Sequence, residues 1–125
     1  MPQRVNLAET LARVDRPWVP TVVGELNGQM VKVARFEGEY VWHHHAREDE
    51  MFLVLSGRIR ICFRPEDGGD VALGPGEFCV VPRGVEHKPV ADEPAEVLLF
   101  EPAATRNTGN VDHAYTIEPE NLPRA

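Results

Sequence analysis

The chain has 125 residues, the size of one domain, and is long enough to bury a core without disulfide or metal staples. Its 13 Lys and Arg stand against 20 Asp and Glu, and the formal net charge of -7 repels phosphate backbones and anionic membrane surfaces, so nucleic acid and membrane are excluded as expected partners. With 11 prolines and 10 glycines, the composition predicts many turns and leans towards an all-β fold.

The N-terminus, MPQRVNLAET, lacks the apolar core of a signal peptide, and no stretch approaches the roughly 18 apolar residues of a membrane span. A cytoplasmic protein is expected. Residues 6–15 read as one short helix, because Asn6 can cap it, Glu9 completes a capping box, and Leu7, Leu11 and Val14 share a face. From Thr21 the chain switches to short apolar runs divided by turn signals. VVGEL and QMVKVARF flank Asn27-Gly28, a strong hairpin signal. Glu37-Gly38-Glu39 reads as a turn before YVWHHH. MFLVLS, RIRICFR, VAL, FCVV, EHKPVA and EVLLFEP follow, which makes eight or nine strands. Short strands at even spacing predict a sandwich or barrel. The expected organisation is a single domain over 1–125, with a helix and arm in 1–20, a barrel in 21–102 and a polar C-terminal arm in 103–125. Cys62 and Cys79 lie in apolar, β-branched surroundings and read as reduced, buried side chains.

Three histidines are consecutive at the end of a predicted strand. Strand alternation sends His43 and His45 to one face and Trp42 and His44 to the other. Glu50 opens the apolar run MFLVL and shares a face with Phe52 and Val54, where an unpaired carboxylate would cost several kcal/mol. A metal beside His43 and His45 would compensate it. His87, between Glu86 and Lys88, is the candidate third imidazole. Three imidazoles and one carboxylate suit Mn, Fe, Co, Ni, Cu or Zn and leave coordination positions open. Taken singly, each histidine is more often a solvated or hydrogen-bonded side chain, so the joint spacing carries the argument.

That spacing resembles the two motifs of the cupin superfamily. In the first, Gly38 precedes His43-x-His45, four residues separate His45 from Glu50, and six separate Glu50 from Gly57. In the second, five residues lie between Gly76 and Pro82-x-Gly84, and two between Gly84 and His87. Gly38 sits one residue closer to the first His than in the usual pattern, and Ala91 replaces the Asn that often closes the second motif. NLAE, ELNGQ, VLLFEP and the Asn107-Thr108-Gly109 tail further resemble small bacterial single-domain cupins, often loosely named mannose-6-phosphate isomerase-like. The resemblance implies a double-stranded β-helix, or jelly-roll barrel, with one divalent transition metal held by His43, His45, Glu50 and His87.

The superfamily spans isomerases, oxygenases, decarboxylases, lyases, storage proteins and sugar-binding regulator domains, so the fold alone does not give the activity. The leading expectation is a small-molecule metalloenzyme, of isomerase, dioxygenase or lyase type, in which an oxygen-rich substrate displaces metal-bound water. The alternative is a non-catalytic metabolite sensor. No second His, Asp or Glu with inward parity stands out as a general base. Arg60 is a candidate anion contact, with a surface ion pair the favoured reading. A homodimer is expected, on the grounds that Trp18, Trp42 and the proline-bearing arm offer apolar surface that one barrel need not bury.

Overall fold

The computed structural model describes residues 2–125. Asn6 caps the helix α1, Leu7–Leu11, by accepting a 3.0 Å hydrogen bond from the Glu9 amide at its side-chain oxygen. The helix stops four residues short of the expected Asp15. Leu11 is its buried residue on the apolar face, and the Arg35 guanidinium ties the segment down by donating to the Leu11 and Val14 carbonyls.

Seven strands follow: β1 Thr21–Leu26, β2 Gln29–Glu39, β3 Glu50–Ser56, β4 Ile59–Phe63, β5 Val71–Leu73, β6 Phe78–Val81 and β7 His87–Pro102. All pairings between strands are antiparallel. β1 and β2 form the hairpin expected at Asn27-Gly28, both with positive φ. β7 is the organising strand. It pairs with β2 along its length, while its other edge serves β4 near the start and β3 towards the end. Residues 91–95, where neither β3 nor β4 pairs, mark the switch between the two faces of an all-β jelly-roll barrel. Trp18, Phe36, Phe52, Ile61, Val97 and Leu99 lie in the core between them.

The strand count differs from the eight or nine expected for two reasons. EHKPVA and EVLLFEP are one strand, because the β2–β7 ladder continues across Asp92-Glu93-Pro94 with only a shift of register. That shift sets Asp92-Glu93-Pro94 opposite the single residue Glu37, so the bulge lies in β7, and Glu37-Gly38-Glu39 continues β2 and is not a turn. Gly38 there has φ +80°, which a side chain disfavours. YVWHHH is likewise no regular strand. β2 ends at Glu39, and of the next six residues only His43 makes a ladder bridge.

Trp18 is also a correction. It is buried in the core, packed against Phe36 and stacked on Tyr40, and offers no free surface. Trp42 is half-buried under the Arg64 guanidinium, which lies 3.7 Å from its ring centre. Cys62 is buried, Cys79 is partly so, and both are free thiols.

A candidate metal centre

Two reciprocal backbone hydrogen bonds, His43 N to His87 O at 3.0 Å and His87 N to His43 O at 2.9 Å, clamp the two motif segments together. A third bond, Gly84 N to His45 O at 2.8 Å, uses the turn after Pro82. Gly84 has φ +80° in that turn, so Pro82-x-Gly84 is what aims His87 inward. Alternation survives without a regular strand, because the bridge at His43 fixes which way its neighbours point. His43 and His45 are buried, whereas His44 is partly exposed and its amide is held by Asn110. Glu50, at the head of β3, completes the group. One candidate ligand atom from each of His43, His45, Glu50 and His87 lies within 4.8 Å of the others.

The hydrogen bonding around these atoms fits a cation. His43 Nδ1 lies 2.8 Å from the Val41 carbonyl and His87 Nδ1 lies 2.9 Å from the Val85 carbonyl. A carbonyl only accepts, so both Nδ1 atoms carry hydrogen, and Nε2 is the ring nitrogen left to face the centre. The Nε2 atoms of His45 and His87 each stand 3.3 Å from Glu50 Oε1. With its hydrogen on Nδ1, His87 turns an acceptor towards a carboxylate, an arrangement that a positive charge between them would relieve. Neither ring nitrogen of buried His45 has a hydrogen-bond partner among the described residues. Burial first, and the neighbouring His87 second, push the His43 imidazole down to about 3, which keeps it neutral and available as a ligand. Burial pushes the Glu50 carboxyl up, but the polar groups facing it, Glu101 first and then His45 and His87, outweigh that and hold it well below its usual range.

Reading the sequence for a second inward acid missed Glu101. It is 2% exposed on β7, and its Oε1 accepts a 2.8 Å hydrogen bond from Lys32 Nζ, itself 1% exposed on β2. Parity could have found both. Lys32 shares the inward face of β2 with Met30, Ala34 and Phe36, and Glu101 shares that of β7 with Val97 and Leu99. Burial and then the charge of Glu50 raise the Glu101 carboxyl well above its usual range. Arg60 donates to Asp92 at 3.0 Å on the surface and takes no part in the site.

A cavity of about 30 Å³ adjoins His43 and Glu50. Its polar lining includes Glu101 and Tyr40, with Trp18, Phe36 and Phe52 as aromatic walls. Burial pushes the Tyr40 phenol far up, so it stays protonated. The C-terminal arm closes the outer end. Asn107 reaches the cavity, Tyr115 stacks on Tyr40 with ring centres 5.6 Å apart, and the Asn110 amide donates to the His44 carbonyl.

An antiparallel jelly-roll barrel with three imidazoles and a carboxylate gathered inside it defines a metal-binding barrel of the cupin kind. The model of the cupin domain matches residues 29–101, and the chain belongs to that family. An uncharacterized protein of Bacillus subtilis, YdbB, is 36% identical over 66 residues, a stretch that covers 53% of this chain and 57% of that protein. Among solved structures, a cupin-2 domain protein of Shewanella frigidimarina is 39% identical with a TM-score of 0.74, over 78% of this chain and 93% of that one. The hydroquinone 1,2-dioxygenase PnpCD, solved with Cd2+ and 4-hydroxybenzonitrile, is 26% identical with a TM-score of 0.67, over 78% of this chain and 71% of that one.

Proposed function

We propose that the protein is a small-molecule metalloenzyme in which His43, His45, Glu50 and His87 hold one divalent ion of Mn, Fe, Co, Ni, Cu or Zn. The observation that carries this reading is the convergence of four buried ligand atoms within 4.8 Å, with two imidazoles locked by their Nδ1 atoms. A bound ion would supply Lewis acidity and, if redox-active, electrons for dioxygen chemistry. The chain's own residues do the rest. Phe36, Phe52 and Trp18 exclude bulk water, Tyr40 offers a neutral hydroxyl, and Glu101 places a second carboxyl beside the first. The likeness to a dioxygenase solved with a metal ion and a small aromatic ligand supports a small, oxygen-bearing substrate. Elemental analysis of freshly purified protein should return about one transition-metal ion per chain. A metal-free protein that also fails to take up Co2+, Mn2+, Fe2+, Ni2+, Cu2+ or Zn2+ in dialysis would refute the reading. Metal uptake with no turnover on any small oxygenated substrate would favour the sensor module.

We also infer a homodimer, on different grounds from the tryptophans. On the outer face of the barrel, Phe78, Leu53 and Leu98 form one cross-strand row, and Val80, Met51 and Phe100 a second. Phe78 is 60% exposed and Val80 49%, and a flat apolar sheet face suits a second copy better than a concave ligand. A cytoplasmic location accords with the two free thiols.

A further inference from the structure

We infer that Glu101, held in place by Lys32, is a ligand-positioning residue that selects metal-bound molecules carrying a hydroxyl group next to the atom that binds the metal. The inference rests on the metal reading above. Lys32 and Glu101 are buried side chains from neighbouring strands, and their ion pair is the only salt bridge among the described residues with both partners below 3% exposure. An interior ion pair of this kind does little for stability, since apolar side chains of similar volume serve as well or better. Its position indicates a use. One oxygen of Glu101 is taken by Lys32, so the carboxyl group cannot swing away. The other, Oε2, is buried with no protein donor. Its charged neighbour Glu50 is itself an acceptor, and Glu101 lines the cavity that adjoins His43 and Glu50.

A molecule that enters this cavity to bind the metal therefore meets a fixed carboxyl oxygen beside its coordinating atom. A hydroxyl is the group that matches such an oxygen, because it can donate to a carboxylate or accept from a carboxylic acid. Both partners are out of water, so the interaction discriminates. A ligand lacking the hydroxyl leaves Oε2 buried and unpaired. The cavity of about 30 Å³ has room for two or three water-sized groups, which favours short hydroxylated acids and ketones as the substrate class.

The test uses Co2+-loaded protein, with glycolate and acetate as probes titrated against the visible absorption of the metal. The two probes carry the same charge and differ by one hydroxyl, and because glycolate also chelates cobalt through that hydroxyl, the reading is the change in their affinity ratio between wild-type and variant protein. Lys32→Met with Glu101→Leu, which replaces the pair by apolar volume, should lower the wild-type preference for glycolate by about tenfold, the worth of one buried hydrogen bond. Glu101→Gln, which keeps a donor and an acceptor at the same reach, should retain most of the preference, and the shortened Glu101→Asp should lower it as the double variant does. Equal affinity for the two probes in wild-type protein, or an unchanged ratio in Glu101→Asp, would overturn the inference while leaving the metal site standing. Failure of wild-type protein to develop cobalt absorption would instead overturn the metal reading.

Discussion

His44 sits between two candidate ligands yet points away from both, and this makes the histidine run a sharp test. His43→Ala, His45→Ala and His87→Ala should each lower metal affinity by at least about tenfold, because one imidazole of four ligands is gone and Glu50 loses compensation. His44→Ala should leave metal content at the wild-type level, since its hydrogen bond to the arm is made by the backbone amide. Metal content after dialysis reads both outcomes. A second test concerns pH. In the metal-free fold the His43 imidazole is held near 3 against an ordinary 6.5, so falling pH places a proton on the unfolded chain first. That contribution to stability is full above pH 6.5 and shrinks as pH falls towards 3. Between pH 7 and 5 it amounts to about 2 kcal/mol. Denaturant titration in chelator should show the loss, and His43→Asn should reduce it by about that amount. Glu101 acts in the opposite sense, its raised carboxyl favouring the fold below its ordinary range and losing that advantage as pH rises.

Among the elements, the C-terminal arm departs furthest from what its composition implies. Residues 103–125 are polar and aperiodic, yet Thr105 and Thr108 are fully buried. The Arg106 guanidinium gathers the arm by donating to the Gly109 and Val111 carbonyls and to Asp112 and Glu118. Gly109 is where the arm meets the metal centre. It has φ +55°, and a Cβ there would lie 2.2 Å from the His44 carbonyl oxygen and 3.1 Å from the His43 ring. Gly109→Ala should therefore cost about 2 kcal/mol, through backbone strain and the forced retreat of the arm. Protease susceptibility of residues 105–118 should rise with it. A variant as stable and protease-resistant as wild type would contradict this docking.

For the whole molecule, the apolar outer face formed by β3, β6 and β7 is the feature that a single copy leaves uncovered. Light scattering at micromolar concentration should return twice the 14.0 kDa chain mass. Phe78→Glu, at the most exposed large hydrophobic position of that face, should shift the mass to that of one chain while leaving metal content unchanged. A monomer in wild-type protein would end the dimer reading without touching the metal site, which lies inside the barrel.

Local rules were enough for much of this molecule. The Asn6 cap, the Asn27-Gly28 hairpin, the inward set Glu50, Phe52 and Val54, and the two spaced motifs are consequences of backbone geometry over a few residues. The class of fold and the four-residue cluster were legible for that reason. Lys32 and Glu101 were equally open to parity, but a charge in an apolar run reads as solvent-facing until its partner is known. That partner lies 69 residues away in sequence. Tertiary structure alone decided the rest. The merging of two predicted strands into β7 depends on β2 continuing alongside it, the burial of Trp18 depends on packing against Phe36 and Tyr40, and the closing of the cavity depends on Tyr115 and Gly109 docking from the far end of the chain. Each is a contact between segments distant in sequence, whose energy no local pattern records.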